Sequence, residues 1–438
     1  MLFLHILIIT IALFQPPAEI TEEPQQVISG SQAVPIGELN KSERAATDIR
    51  KLDFLRAVEY EEVNEDELKA FINKKLDEEY PEDKFQNDLA AYKALGLLDD
   101  VSGIRKLLIE LYTEQVAAFY DPESHRLFSR SKSPFSEMLN DIILVHELTH
   151  ALQDQHFDLE KLLQQVKDDN DKLMARVSLV EGDATLAQIR YMLERRSWKL
   201  REMFGVAFQQ QDKFFSAPYF VRKNLLFPYE KGVQYVTALY ESNGWDAVNA
   251  AYADPPVSSE QILHPEKYID SRDDPQKVSI PDLSPVLGEG WELVSSNNLG
   301  ELNTMVMFRQ YLGMFRAKKP ADGWDGDWYN YYVNSNNGRQ ALIWATAWDS
   351  VKDAEEFFAS YCKLVKKKFD GRKLLNFREK TNSALWQYDQ VAVFVGRSDE
   401  RNLVVEVPMI DLLVRVTDKF AEFSLPDNIN LDEKKGEL

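Results

Sequence analysis

The stretch Ile142-Ile143-Leu144-Val145-His146-Glu147-Leu148-Thr149-His150-Ala151-Leu152-Gln153 sets three ionisable side chains in a strongly apolar run. From Met138 to Leu152 the pattern is apolar nearly all round, which predicts a helix buried inside a domain. Ser133 and Pro134 provide a good helix start, with the serine as cap and the proline in the first turn. Burying two histidines and a glutamate is costly, so we expect these side chains to have partners.

The residues from His146 to His150 read H-E-x-x-H. Helical side chains four residues apart lie on one face, so both imidazoles can reach one Zn²⁺ at about 2.0–2.1 Å. Glu147 lies beside them and is placed to accept a proton from a water molecule that the metal activates. The chain has six histidines in all, which makes a chance pairing at this spacing a weak explanation. The alternative is a buried helix with hydrogen-bonded core histidines.

Glu181 is the first candidate for a third ligand, which a catalytic zinc usually has. The run from Asp169 to Arg195 predicts a second long helix, and Glu181 falls on its apolar side. A carboxylate there needs a partner, and a metal that already holds two histidines would provide one. Gly182 is small enough for another element to pack closely, whereas Asp183 points to the opposite face and is expected to be structural.

His156 is the competing third ligand, because it follows His150 by six residues as in H-E-x-x-H-x-x-G-x-x-H. The glycine of that pattern lets the chain leave the helix sharply, and here the position is Gln153. The helix should therefore continue past Gln153 and point His156 away from His150.

Composition limits the classes of function. The chain has 438 residues, which is typical of two or three domains, and its hydrophobic content of 44% excludes wholesale disorder. The net charge of -21 argues against nucleic acid or an anionic membrane surface as the main partner. The single cysteine, Cys362, allows neither an intramolecular disulfide nor a cysteine zinc cluster.

Residues 2–14 form an apolar run that is too short for an ordinary membrane span and has the length of a signal-peptide core. Lys and Arg are missing before it, so a buried or interfacial N-terminal segment is the alternative. The favoured interpretation is export, which predicts an extracytoplasmic protein: secreted, periplasmic, or tethered to the membrane by this segment.

Changes in pattern divide the chain and predict an α+β fold. Residues 115–129 read as strand, turn and strand, and residues 288–425 alternate β-like runs, including Leu412–Val416, with two helices. The predicted segments are a signal peptide or anchor (1–20), a linker (21–40), a helical N-terminal subdomain or propeptide (41–112), a mainly helical domain with a small edge-strand sheet (113–283), a C-terminal α+β domain with an antiparallel sheet (284–426), and a polar tail (427–438).

The order of these motifs resembles the gluzincin clan of zinc metallopeptidases. The resemblance rests on the strand Ala117-Ala118-Phe119-Tyr120, the HELTH helix and the glutamate in V-E-G-D-A. It implies a zincin-like catalytic domain over 113–283 with Zn²⁺ held by His146, His150 and Glu181. It also implies that Ala117, Ala118, Phe119 and Tyr120 form the edge strand to which a peptide substrate adds, although Ala117 stands where the clan usually has asparagine. Residues from about 50 to 350 also resemble an uncharacterised bacterial family with H-E-L-T-H-A-L-Q-D-Q-H and V-E-G-D-A motifs.

The expected function is zinc-dependent hydrolysis of a peptide or protein substrate, with Glu147 as general base. In the clan that the chain resembles, a downstream histidine or tyrosine stabilises the oxyanion, which points to His264 and Tyr268; the alternative for His264 is a residue that packs a loop. Two other functions remain open: a metzincin-like peptidase with His156 as third ligand, and a non-catalytic zinc-containing scaffold that acts as a binding or chaperone-like module.

The apolar N-terminal run generates a prediction about location. We expect the mature protein either to lack this run or to remain tethered by it outside the cytoplasm, since a signal-peptide core directs export. Cell fractionation followed by mass spectrometry of the N-terminal peptide measures this. A soluble cytoplasmic protein that retains Met1 would contradict the prediction.

Overall fold

The computed structural model describes residues 8–9, 39–132, 137–194 and 212–426. The predicted helix start at Ser133 and Pro134 lies outside these ranges, as do most of the N-terminal apolar run and the polar tail. The described residues form a mainly helical region with a small mixed sheet, followed by an α+β region with a seven-strand antiparallel sheet. The predicted fold class is therefore confirmed.

The described part of the helical region contains both long and short helices. Its helices are α1 (Lys41–Arg50), α2 (Glu65–Glu79), α3 (Glu82–Leu95), α4 (Ile104–Gln115), α5 (Glu137–Phe157), α6 (Leu159–Gln164), α7 (Asn170–Glu194), α8 (Asp212–Ser216), α9 (Tyr219–Ala253), α10 (Ser259–Leu263), α11 (Glu266–Ile269) and α12 (Ser284–Leu287). Asn40 and Asn64 begin α1 and α2 with capping boxes, in which the asparagine side chain accepts the orphan amides of the first turn.

The small sheet lies beside α5. Its strands are β1 (Ile8–Ile9), β2 (Glu59–Val63), β3 (Ala118–Asp121) and β4 (Arg126–Arg130). β4 is paired in parallel with β2 and antiparallel with β3, so the sheet is mixed. The two residues of β1 pair antiparallel with Tyr120 and Phe119, on the outer edge of β3. The strand–turn–strand prediction for residues 115–129 is confirmed.

The C-terminal region is built on one antiparallel sheet in the order β5-β6-β7-β11-β10-β9-β8. Its elements are β5 (Trp291–Asn297), α13 (Gly300–Leu312), β6 (Trp324–Asn334), β7 (Gln340–Trp348), α14 (Val351–Lys368), β8 (Leu374–Lys380), β9 (Ser383–Tyr388), β10 (Ala392–Ser398), β11 (Arg401–Val407) and α15 (Ile410–Thr417). Neighbouring residues of one strand enter opposite cores. Trp344 joins the core that continues into the helical region, whereas Ile343 packs on the face covered by α12 and α15.

One predicted strand is wrong. Leu412–Val416 lies in helix α15, where Leu412, Leu413 and Val416 are buried. The run is short and rich in branched residues, which favours a strand locally, but its buried positions recur at helical spacing against the sheet face.

Helices α7 and α9 cross at two glycines. A Cβ added to Gly182 would lie 2.3 Å from the backbone of Gly232, and a Cβ added to Gly232 would lie 2.3 Å from the carbonyl oxygen of Ser178. The two backbones can approach this closely only because neither position has a side chain. The expectation that an element packs closely at Gly182 is confirmed.

A buried ion pair ties α1 to α7. Arg50 Nε lies 2.7 Å from Asp183 Oδ1, and both side chains are fully buried. Tyr252 donates a hydrogen bond to the other Asp183 oxygen at 2.8 Å, and the Arg50 guanidinium lies 4.4 Å from the centre of the Trp245 ring. Asp183 has the structural role that its helix face predicts, and residues of the 41–112 segment belong to the same core as α5 and α7.

No helix within the described ranges combines the length and the apolar character that a membrane span requires.

The glycine crossing generates a prediction about stability. Gly232→Ala should destabilise the protein by ~1–3 kcal/mol through overpacking against Ser178. Helix propensity alone would stabilise the variant by about 1 kcal/mol. The sign of the change in the free energy of unfolding therefore distinguishes overpacking from helix propensity. Urea denaturation measures it. Gln234→Ala, at an exposed position of the same helix, is the control and should change stability by less than about 0.5 kcal/mol. Equal or greater stability of Gly232→Ala would refute the close crossing.

Candidate metal centre

Helix α5 carries His146, Glu147 and His150 in the centre of the helical region. It packs against α1, α7 and β3, and all three side chains are fully buried. The predicted buried helix is confirmed, and it continues to Phe157. Glu181 reaches the same point from α7.

Three ligand atoms converge there. The Nε2 atoms of His146 and His150 lie 3.0 Å apart, and Glu181 Oε2 lies 3.3 Å from the first and 3.6 Å from the second. Ligands of a tetrahedral ion with bonds of 2.0–2.2 Å are separated by about 3.3–3.6 Å. The two distances to Glu181 match this spacing, and the distance between the imidazole nitrogens is slightly shorter. The two imidazoles and one carboxylate are suitable ligands in chemistry, and this group could hold a metal ion.

The charges within the group are coupled. Burial lowers the pKa of His146. Burial also acts to lower the pKa of His150, but the charge of Glu181 and its hydrogen bond outweigh it and raise that pKa. For Glu181, the neighbouring imidazoles outweigh burial and lower the pKa. The buried carboxylate is thus ionised and needs a positive partner, which is a proton on an imidazole or a metal ion that replaces it.

Gln153 orients His150. Its Oε1 lies 2.8 Å from His150 Nδ1, and its amide nitrogen donates to the Val180 carbonyl at 3.0 Å. The Val180 contact fixes the Gln153 amide, so Oε1 accepts the Nδ1 proton and the lone pair of Nε2 faces His146 and Glu181. An outer partner that fixes the tautomer in this way is typical of metal-binding histidines.

Glu147 lies next to the ligand group but outside it. Its Oε2 accepts a hydrogen bond of 2.9 Å from the backbone amide of Tyr120 in β3. This contact holds a fully buried carboxylate between the HELTH helix and the small sheet.

Strand β3, which begins at Ala118 directly after Ala117 and includes Phe119 and Tyr120, lies beside the HELTH helix, as the resemblance implies. Its side chains are buried: Phe119 stacks on Phe128 with ring centres 4.8 Å apart, and the Tyr120 hydroxyl donates to Asp154 at 2.8 Å. The strand can therefore offer a partner its backbone edge rather than its side chains.

His156 does not join the group. Helix α5 continues past Gln153, and His156 Nε2 lies 2.7 Å from the carbonyl oxygen of Asp53. The ring is thus held by the connection after α1, on another side of the helix from His150.

His264 and Tyr268 also lie elsewhere. The element that carries His264 meets α7 near its start, where the Ser259 amide donates to Asp171 at 3.0 Å. Glu181 follows Asp171 by ten residues, about 15 Å along the helix. His264 Nε2 lies 3.1 Å from Glu301, and Tyr268 donates to the carbonyl oxygen of Asp254 at 2.7 Å. Neither contact involves a residue of the HELTH motif. Sequence order alone does not give the direction in which the chain folds back, so it cannot place these residues.

Tyr229 is the residue that the sequence analysis missed. Its ring lies 6.4 Å from that of His146, with an angle of 28° between the planes. Burial, together with the charges of Glu181 and Glu147, raises its pKa well above the usual range, so the phenol keeps its proton. Tyr229 precedes Gly232 by one helical turn, and the close crossing at Gly232 brings it to the group. The sequence feature that could have indicated this close approach is a helical run that contains both Pro228 and Gly232.

Comparison with known proteins identifies part of the chain only. Residues 290–417 match the model of a family described as a domain of unknown function (DUF8575), which spans the antiparallel sheet from β5 to α15. No curated protein and no solved structure matches the chain. The match therefore concerns the C-terminal region and leaves the group on α5 and α7 to be interpreted from its geometry.

The geometry of the group generates a prediction about its ligands. Glu181→Ala should weaken zinc binding by on the order of 100-fold or more, because loss of a direct ligand exceeds the 10–100-fold effect of losing an outer partner. His156→Ala should leave zinc affinity unchanged, since that ring contacts Asp53. Competitive titration with a chromogenic chelator measures both affinities, with circular dichroism to verify folding. The opposite pattern, with zinc lost only from His156→Ala, would establish the metzincin-like alternative.

Proposed function

We propose that this protein is a zinc-dependent metallopeptidase in which His146, His150 and Glu181 hold the ion and Glu147 is the general base. The observation that carries the proposal is the position of Glu147. A site that only stabilises a fold needs its ligands and their partners, but it does not need a further buried carboxylate beside them.

The residues around the group suit hydrolysis of an acyl bond. Zn²⁺, when bound, would polarise a carbonyl and lower the pKa of a water molecule. Glu147 accepts a proton from the attacking water and passes it to the leaving amine. The Tyr120 amide keeps the Glu147 carboxylate oriented during both transfers.

Tyr229 is the proposed oxyanion donor in place of His264 and Tyr268. Its raised pKa keeps the hydroxyl protonated near neutral pH, as a hydrogen-bond donor requires. It comes from a different helix than the ligands, so it can approach a substrate carbonyl from another side. Tyr229 thus takes the oxyanion-stabilising role that the resemblance implies for a downstream histidine or tyrosine, because its ring lies next to that of His146.

The proposed substrate is an extended peptide that adds to the outer edge of β3. Peptides add to exposed sheet edges through backbone hydrogen bonds, and this edge already pairs with the two residues of β1. The Tyr120 amide contacts Glu147, so a strand on this edge would pass close to the base. We further propose an extracytoplasmic location, on the strength of the apolar run at residues 2–14.

A second candidate is a protein whose metal only stabilises it. The observation that favours this function is burial: the His146 and His150 side chains are 0% exposed and that of Glu181 is 3% exposed. A structural site is closed, whereas a catalytic site keeps an open position. The two candidates differ in what loss of Glu147 would do, because only the enzyme depends on it.

The role of Glu147 generates the first test of the proposal. Glu147→Gln should retain zinc and lower peptide hydrolysis by about 10²–10⁴-fold, because the amide cannot accept the proton. The rate is measured on an unstructured protein substrate, with and without a chelator. Glu160→Gln, on the exposed surface of α6, is the matched control and should be fully active. Absence of chelator-sensitive hydrolysis in the unmodified protein would favour the structural candidate.

The role of Tyr229 generates a second test. Tyr229→Phe should lower kcat by about 10²–10³-fold with little change in KM, since it removes one oxyanion donor. Zinc content should remain at the level of the unmodified protein. Tyr240→Phe, on the same helix, is the control. Unchanged kcat in Tyr229→Phe would assign the tyrosine a packing role.

A further inference from the structure

We infer that His264, Glu301 and Asp322 form a second site for a divalent metal ion, at the junction of the helical region and the antiparallel-sheet region. The inference is independent of the HELTH group, which lies at a different position along α7. Neither the resemblance nor the family match assigns a metal-binding role to these residues.

Three separate elements bring the residues together. His264 ends α10, Glu301 lies in the first turn of α13, and Asp322 lies in the turn before β6. The start of α13 is fixed by Asp327, whose carboxylate accepts the amides of Leu299 and Gly300 at 2.9 Å each. The site therefore rests on a rigid helix start.

The ligand atoms are close and only partly satisfied. One nitrogen of His264 and one oxygen each from Glu301 and Asp322 lie within 4.8 Å of one another. A His264–Glu301 ion pair, with Nε2 and Oε1 3.1 Å apart, accounts for one carboxylate oxygen. Glu301 Oε2 and Asp322 Oδ1 are buried, and neither has a hydrogen-bond partner among the described residues. A cation among these atoms would satisfy both.

The charge balance also calls for a cation. Lys267 lies in the same region, but its ammonium group already contacts Glu260 at 2.6 Å, Asp349 at 2.6 Å and Asp273 at 3.0 Å. The charge of Lys267 is therefore offset by those three carboxylates. Glu301, whose side chain is 2% exposed, and Asp322 share one neighbouring imidazole, that of His264. Buried carboxylates in excess of buried cations are unfavourable without a bound ion.

The ligand types indicate the class of ion. Imidazole suits zinc and other first-row transition metals, whereas calcium and magnesium prefer oxygen ligands alone. One imidazole with two carboxylates is therefore assigned to a divalent first-row ion, and zinc is the probe for the experiment. Because the ligands come from both regions, the bound ion would hold α10 against α13 and the start of β6.

The experiment counts zinc ions per full-length chain. Protein stripped with a chelator is equilibrated with zinc, gel-filtered and analysed by inductively coupled plasma mass spectrometry. We expect two ions per chain in the unmodified protein and one in Glu301→Gln. Glu292→Gln makes the same chemical change on the exposed surface of β5 and should retain two. The inference would be overturned if Glu301→Gln bound two zinc ions per chain. It would also be overturned if the unmodified protein bound one zinc ion and Glu301→Gln bound the same number.

A second set of variants separates this site from the HELTH group. The double variant His146→Ala/His150→Ala should retain one ion, and adding Glu301→Gln should remove it. If the double variant retains none, the second site is refuted and the proposed peptidase site is unaffected. If Glu301→Gln does not fold, His264→Gln removes the imidazole and leaves Glu301 in place. His264→Gln should also lose one ion, and it should lose the zinc-dependent rise in Tm that we expect in the double-variant background.

Discussion

The structure of the helical region depends on two carboxylates buried in one helix. Glu181 and Asp183 lie on opposite faces of α7, and neither is stable in a dry core without positive charge beside it. Asp183 meets Arg50 of α1, and Glu181 meets the imidazoles of α5. The two ionic contacts therefore tie both α1 and α5 to α7, and any packing that left one carboxylate alone would be strongly disfavoured.

The same helix sets the chemistry that the site can perform. Gly182, between the two carboxylates, allows α9 to approach until its backbone touches that of α7. This approach brings Tyr229 to the group formed by His146, His150 and Glu181, while β3 brings the Tyr120 amide to Glu147. The carboxylates of Glu181 and Glu147 and the phenol of Tyr229 thus come from α7, α5 and α9 to the surroundings of the two imidazoles.

At the junction between the two regions, buried carboxylates such as Asp171 and Asp327 are paired with backbone amides rather than with cationic side chains. Asp171 contacts the amide of Ser259, and Asp327 contacts that of Gly300. Burial raises the pKa of Asp171 to about 8 and that of Asp327 to about 6, so burial at this junction is costly for the ionised acids. His264, Glu301 and Asp322 lie at the same junction. The imidazole of His264 provides a partner for the carboxylate of Glu301 there rather than for the HELTH residues.

Local sequence determined the features that depend on spacing along one element. The HELTH spacing put both imidazoles on one helix face, Gln153 kept that helix continuous and so directed His156 away, and the apolar face of α7 selected Glu181 over Asp183. The positions of Tyr229 and His264 were decided only by tertiary structure, because each depends on how a later helix crosses an earlier one. Helix α15 shows the same limit: its branched residues favour a strand, and only packing against the sheet makes it helical. Periodicity is a property of one element, whereas the contacts between elements depend on side-chain volume and charge across the whole core.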